Sequence, residues 1–294
     1  MAIKTVGVLG AGLMGHGIAQ VAAQAGYDVV LREVDEVTLA KGIGKIEKQL
    51  ERAVEKGKSS QEDADAVRAR IQGTTEYGDL AGCDLVIEAI TEDLDRKLEM
   101  WKQVDAIVKP EAIFASNTSS LPVIDQAAST TRPAQFLGLH YFNPAQVMKL
   151  VEVIRCVTTS EETFDAGLAF AESIGKLGVP TKDKSGFIVN RLLIPYLLDG
   201  IRGFEEGVGS VSEIDEAMKA GAAHPMGPLA LSDLIGLDTL GLAADGLYDE
   251  YRERRFAQPP TLRKLIAAGW YGRKSGLGFY DYSGDTPVEN PGIS

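Results

Sequence analysis

Apolar and polar positions along the first part of the chain alternate between two periods. Short apolar runs of strand length, Thr5-Val6-Gly7-Val8-Leu9 and Val29-Val30-Leu31 first among them, are separated by stretches whose apolar residues recur every three to four positions. Further runs follow at Asp84-Leu85-Val86-Ile87-Glu88-Ala89, Ala112-Ile113-Phe114-Ala115, Phe136-Leu137-Gly138-Leu139-His140 and residues 150–154, joined by acid-rich helical stretches such as residues 93–108. Strands alternating with helices in this way predict an α/β fold with a doubly wound, Rossmann-type parallel sheet. One connection is longer than a crossover needs: residues 37–71 read as a helical hairpin broken at Gly57-Lys58-Ser59-Ser60. The pattern changes near Lys182-Asp183-Lys184-Ser185-Gly186. Beyond it the periodicity is helical, over residues 187–203, 211–220, 229–252 and 262–268, and the tail after Ser283 reads as frayed. The expected organisation is a sheet domain over residues 1–184 carrying the hairpin, then a smaller all-helical domain over residues 185–294. A helical piece so rich in Leu, Ala and Gly suits packing against a second copy, so a homodimer is expected.

Composition narrows the class. Apolar residues make up 45% of the 294 positions and charged residues 24%, ordinary for a water-soluble enzyme. No apolar stretch reaches membrane-spanning length, and Met1-Ala2-Ile3-Lys4 leads straight into a strand without a signal or transit segment. The two cysteines, Cys83 and Cys156, sit beside apolar runs and form no C-x-x-C, which suits buried thiols in a reducing cytoplasm. A net charge of −12 argues against nucleic acid and anionic membranes as partners. An anionic ligand would then need local basic ground. Lys41, Lys45, Lys48, Arg52, Lys56 and Lys58 set against Glu47, Glu51 and Glu55 leave the hairpin with a balance of +3. That stretch reads either as a solvated face stitched by Glu/Lys neighbours or as an anion site.

The first strand runs into Gly10-Ala11-Gly12-Leu13-Met14-Gly15, a G-x-G-x-x-G turn that opens a helix. Gly10 permits the tight turn, Gly12 lets backbone approach a pyrophosphate, and Gly15 allows close packing of helix on sheet. Unpaired N–H groups of the first helical turn face the anion. Glu33 closes the next strand, about 20 residues on, where an acid accepts from a ribose 2′-hydroxyl. Arg32 beside it offers a cation to a 2′-phosphate, but the Glu33 carboxylate repels that phosphate, so NAD is expected over NADP.

Ligands of open parallel sheets lie at the carboxyl ends of the strands. Two strand ends there are rich in polar residues: Ser116-Asn117-Thr118-Ser119-Ser120, and His140-Tyr141-Phe142-Asn143-Pro144. Of the three histidines, His224 lies in a proline-broken turn and reads as structural, and His16 at the helix start, where a cation could help a phosphate, reads rather as a surface residue. His140 is a core residue or a base. Glu152 interrupts the apolar run Leu150-Val151-Glu152-Val153-Ile154, where a buried carboxylate is costly without a partner. A carboxylate on one imidazole nitrogen leaves the other free to take a proton, which favours the base. No metal-ligand set is present. The chemistry that suits a nicotinamide cofactor is alcohol oxidation.

These residues resemble the L-3-hydroxyacyl-CoA dehydrogenases, including the bacterial 3-hydroxybutyryl-CoA dehydrogenases. The likeness runs nearly the full length. It rests on the glycine turn, Glu88-Ala89-Ile90-Thr91-Glu92, residues 116–121, His140 to Pro144, Lys149-Leu150-Val151-Glu152, Gly186-Phe187-Ile188-Val189-Asn190-Arg191, residues 224–228 and Gly272-Arg273-Lys274-Ser275-Gly276. The resemblance implies that His140 is the base, Glu152 orients it, and Ser119 and Asn190 bind the reacting oxygen. It implies that Leu13 and Met14 with the three glycines, Glu33, Glu92, Lys97, Ser119, Asn143 and Lys274 line the NAD site. It also implies that the hairpin carries coenzyme A, with Lys56 and Ser119 contacting the thioester substrate, and that the helical domain makes the dimer. The implied reaction interconverts (S)-3-hydroxyacyl-CoA and 3-oxoacyl-CoA, with 3-hydroxybutyryl-CoA first and 3-hydroxyadipyl-CoA as the alternative. Ala145-Gln146 departs from the family's usual Val-Pro and bears on acyl preference. Two rivals differ in class. A β-hydroxyacid dehydrogenase would use a lysine such as Lys182 or Lys184 and leave His140 and Glu152 without purpose. A non-catalytic dinucleotide-binding protein would have no need of Ser119, His140, Glu152 and Asn190 together.

Overall fold

Strands that are apolar at every position are stable only when covered on both faces, and the central strands meet that demand. The computed structural model describes residues 3–293 and falls into two compact units, the first ending at Phe187 and the second starting at Ile188. The first holds strands β1 (Thr5–Leu9), β2 (Asp28–Arg32), β3 (Ile71–Thr74), β4 (Leu85–Glu88), β5 (Ile113–Ser116), β6 (Phe136–Tyr141), β7 (Leu150–Arg155) and β8 (Leu177–Lys182). They form one sheet in the order β3-β2-β1-β4-β5-β6-β7-β8. From β3 to β6 all neighbours are parallel, so the order reverses between β1 and β4 and opens a crevice at their carboxyl ends.

Helices α1 (Gly15–Gln24), α2 (Glu36–Glu55), α3 (Gln61–Ala69), α4 (Leu94–Asp105), α5 (Val123–Ala128) and α6 (Glu161–Ser173) flank the sheet. Ile18, Ala22, Leu39, Ile46 and Phe170 pack on one face, and Met100, Trp101, Val104 and Val123 on the other. Trp101 stacks on Phe114 at 5.0 Å, meets the Phe136 edge at 4.8 Å and donates its indole N–H to Gln126. Each such fully buried side chain stabilises the unit by about 1.5–3 kcal/mol. Asp35 and Ser60 cap the two hairpin helices, accepting from the amides of Thr38 and Asp63. The hairpin lies directly on the glycine turn: a Cβ at Gly42 would stand 2.6 Å from the Ala11 carbonyl oxygen.

The structure departs from the expected pattern at several places. β7 runs antiparallel to β6, then β8 parallel to β7, so the sheet is mixed at one edge. The edge strands β3 and β8 were not anticipated. Gly73 in one, Gly178 and Pro180 in the other, and exposed positions in both blur the apolar pattern, as edge strands commonly do. The first unit runs on through Phe187, whose ring is buried with Phe136 and Ile154. Cys83 and Cys156 are buried free thiols, and burial pushes Cys83 up to about 12.

The second unit contains α7 (Val189–Glu205), α8 (Val211–Ala222), α9 (Pro228–Ile235), α10 (Leu237–Tyr251) and α11 (Pro260–Ala267) around Leu197, Leu198, Leu240, Phe256 and Phe279. The single helix expected over residues 229–252 is two, because Gly236 turns the chain at φ 99°. The tail is not frayed. Tyr280–Asp281 pairs with Val288–Glu289, and buried Asn290 donates to the Gly278 carbonyl at 2.7 Å. Among the described residues no helix is long and apolar enough to cross a membrane.

Candidate active site

The glycine turn sits at the carboxyl end of β1, beside β4. Gly10 has φ 96°, and a side chain there would meet the Ala89 carbonyl oxygen at 2.6 Å. A Cβ at Gly15 would stand 1.7 Å from the Gly10 oxygen, whereas none at Gly12 would come within 4 Å of another protein atom. The turn is thus closed on the protein side and open at Gly12, which fits a pyrophosphate approaching backbone amides. Leu13 is exposed and Met14 half-buried beside it. His16, expected at the surface, is buried, and its Nδ1–H donates to the Gly12 carbonyl at 2.6 Å. Burial lowers its pKa, so it stays a neutral structural brace and not a cation for phosphate.

Glu33 is held where the sequence placed it. Its carboxylate accepts from the amides of Ala11 at 2.8 Å and Val34 at 2.7 Å, which fixes it against the turn. Arg32 points elsewhere: its Nε–H donates to the Thr75 carbonyl and its guanidinium stacks over Tyr77 at 3.8 Å. The cation that would welcome a 2′-phosphate is therefore engaged, and the acid that repels one is locked in place. We expect kcat/KM for NAD to exceed that for NADP on the order of 10²-fold. Steady-state kinetics with both cofactors checks this, and equal values would remove the assigned role of Glu33.

At the ends of β4 and β5 lies an ionic cluster, buried at Glu88 and Lys97 and open at Glu92. Lys97, on α4, is 1% exposed, and its ammonium donates to both Glu88 oxygens at 2.7 and 2.9 Å and to Glu92 at 2.9 Å. Glu92 in turn accepts from the Thr118 hydroxyl and the Ser119 amide, with Ser120 close by. Burial pushes the Glu92 carboxyl up, but Lys97 and these donors outweigh it and hold it low. Lys97 consequently presents no ammonium of its own to a cofactor; it braces Glu92, which orders the loop bearing Ser119. Asn117 accepts from the Tyr141 amide at 2.9 Å and ties this loop to β6.

His140 and Glu152 come together through the reversal of β7. In the antiparallel register they are opposed residues on one face, and His140 Nδ1 lies 2.6 Å from Glu152 Oε2. Glu152 is fully buried and His140 nearly so, with Phe142 and Phe187 rings at 4.5 and 5.5 Å. A carboxylate against Nδ1–H sets the tautomer in which Nε2 is the acceptor. Asn143 is exposed just beyond β6. Ala145 and Gln146, the departure from the family's usual pair, face Gly17 of α1.

Asn190 is half-buried at the start of α7, and exposed Lys274 pairs with Asp238; both belong to the second unit. On the hairpin, Lys56 ends α2 and is exposed. The stitching of cations by neighbouring acids is not found there. Among the described residues none of the six hairpin cations is in an ion pair, and Glu47 pairs across to Arg68 on α3. Among the described residues no cluster suits a metal ion. Sequence reasoning missed Glu88, Ser116 and Thr118 as members of the site. The signal was there for Glu88, an acid closing a buried apolar run, as it was for Glu152.

The family profile described as 3-hydroxyacyl-CoA dehydrogenase, NAD binding domain, matches residues 5–184, and that described as the C-terminal domain of 3-hydroxyacyl-CoA dehydrogenase matches residues 186–282. The chain is 47% identical to a 3-hydroxybutyryl-CoA dehydrogenase of Mycobacterium tuberculosis, covering 96% of this chain and 99% of that one. It is 46% identical to the mitochondrial hydroxyacyl-coenzyme A dehydrogenase of Homo sapiens, over 95% and 91% of the two chains. Among solved structures, an (S)-3-hydroxybutyryl-CoA dehydrogenase from Ralstonia eutropha superposes with TM-score 0.93 at 43% identity, covering 96% of this chain and all of the other.

Proposed function

Because this chain belongs to the 3-hydroxyacyl-CoA dehydrogenase family and is an NAD-dependent enzyme, we propose that it interconverts (S)-3-hydroxybutyryl-CoA and acetoacetyl-CoA, with His140 as the base. The observation that carries the mechanism is the buried 2.6 Å contact between His140 Nδ1 and Glu152. NAD, when bound, supplies the hydride acceptor. His140 Nε2 takes the proton of the 3-hydroxyl as the carbonyl forms, and returns it in the reverse direction. Glu152 fixes the tautomer in which Nδ1 carries the proton and Nε2 is the acceptor, and stabilises the imidazolium once it forms. Ser119, held through Glu92, donates a hydrogen bond to the reacting oxygen, and the resemblance assigns the same task to Asn190. The glycine turn with Leu13 and Met14, Glu33, Glu92, Asn143 and Lys274 serve the cofactor, and Lys97 acts through Glu92. The unpaired hairpin cations favour the anion-site reading, with Lys56 on a coenzyme A phosphate.

The deciding assay follows NADH oxidation by the purified protein with acetoacetyl-CoA, beside free acetoacetate and a dicarboxylic 3-oxoacyl-CoA. Turnover confined to the thioester, and fastest with the short chain, is the expected result. Faster turnover of the dicarboxylic substrate would reassign the acyl group. NADH binding without turnover of any thioester would favour a non-catalytic role. Glu152→Gln is expected to lower kcat while leaving the Kd for NAD nearly unchanged; a variant that mainly loses NAD affinity would show the dyad to be misread. The assembly we propose is a homodimer through the second unit, where Leu192, Val208 and Leu242 are exposed. Equilibrium sedimentation showing only monomer at micromolar concentration would overturn it. The two buried free thiols suit a cytoplasmic location.

A further inference from the structure

Glu88 is given no role above, yet both of its oxygens are engaged at the crevice. It is fully buried at the end of β4, opposite Leu9 of β1 and Ser116 of β5. Lys97 donates to both its oxygens, the Ser116 hydroxyl donates at 2.6 Å and the Ile90 amide at 2.8 Å. An ammonium and an amide can only donate, so Glu88 serves as an acceptor on both oxygens, as a carboxylate does. The three charged groups joined here are two acids, Glu88 and Glu92, and one base, Lys97. The cluster thus carries one uncompensated negative charge, set beside the glycine turn where the strand order reverses. A buried arrangement of this kind is weak as a source of stability, since the desolvation of its ions opposes their attraction. Its effect on a nearby charge persists because Glu88 and Lys97 are shielded from water, although Glu92 at the open end is partly screened.

The two forms of the cofactor differ by one unit of charge on the nicotinamide ring: positive when oxidised, neutral when reduced. Resting on the reading that Glu92 and Ser119 line the cofactor site, we propose that Glu88 is a positioning and charge-setting residue that strengthens binding of NAD⁺ relative to NADH. It does so from behind Lys97. The lysine uses one charge to join two carboxylates, and Glu88 determines which sign is left over. Without Glu88, Lys97 and Glu92 would form a neutral pair and the preference for the cationic ring would fall.

Titration of NAD⁺ and NADH against the wild-type protein and Glu88→Gln, by calorimetry and by NADH fluorescence, tests this. A unit charge acting over about 10 Å at an effective dielectric near 20 is worth on the order of tenfold in affinity. The Kd for NAD⁺ is therefore expected to rise about tenfold in Glu88→Gln while that for NADH stays within about twofold. Glu88→Asp keeps the charge and should recover the wild-type ratio of the two constants. Equal weakening of both forms, or no change in either, would overturn the inference and leave the dehydrogenase reading intact. If Glu88→Gln does not fold, Glu92→Gln removes the same charge from the exposed end and should skew the ratio the same way; an unskewed ratio there also overturns it. Failure of the wild-type protein to bind either form would defeat the underlying reading as well.

Discussion

His140→Ala is expected to lower kcat by about 10²–10⁴-fold, the usual cost of removing a general acid–base, with the Kd for NAD unchanged. The size follows from where the imidazole sits. Its Nδ1 side is committed to Glu152 at 2.6 Å, so its basicity is directed to Nε2, and the surrounding Phe142 and Phe187 rings keep water from substituting for it. Alanine leaves Glu152 buried without its imidazole partner, so a loss of stability accompanies the loss of rate. The two effects separate experimentally, because thermal unfolding reports one and single-turnover hydride transfer in the folded fraction reports the other. A fall in single-turnover rate smaller than about threefold would be too little for a general base and would refute the role.

The second large effect is a contrast between two glycines of one motif. Gly15→Ala should cost about 3 kcal/mol of stability, the upper end of overpacking penalties, and abolish measurable NAD binding. Its Cβ would lie 1.7 Å from the Gly10 carbonyl oxygen, a backbone atom that cannot move without opening the turn. Gly12→Ala should leave stability unchanged or raise it by up to about 1 kcal/mol, since its backbone is not left-handed and no protein atom is near. It should nevertheless weaken NAD by more than about tenfold, because the new methyl occupies the surface a pyrophosphate must approach. Thermal unfolding with and without NAD distinguishes the pair. A Gly12→Ala protein stabilised by NAD as much as the wild type would mean that the pyrophosphate does not approach that face.

The parts of this protein legible in the chain are those set by short-range physics. The glycine turn and the buried central strands follow from local periodicity and residue type. The same holds for the acids Glu33 and Glu152 at strand positions. Edge strands β3 and β8 escaped notice because Gly73, Gly178 and Pro180 weaken the very pattern by which strands are read. What the chain alone left open is long-range. His140 and Glu152 are twelve positions apart, and a parallel β7 would not have brought them into register; the reversal of that single strand makes them opposed neighbours. Glu88, Lys97 and Ser116 become one ionic cluster only because β4, α4 and β5 converge at the reversal of strand order. Arg32 is taken out of contention by Tyr77 and Thr75. Sequence determines which residues can carry charge or bend the chain, since those are properties of a single residue and its neighbours. Pairing of a buried charge depends on distance across the sheet, and only the folded topology decides that.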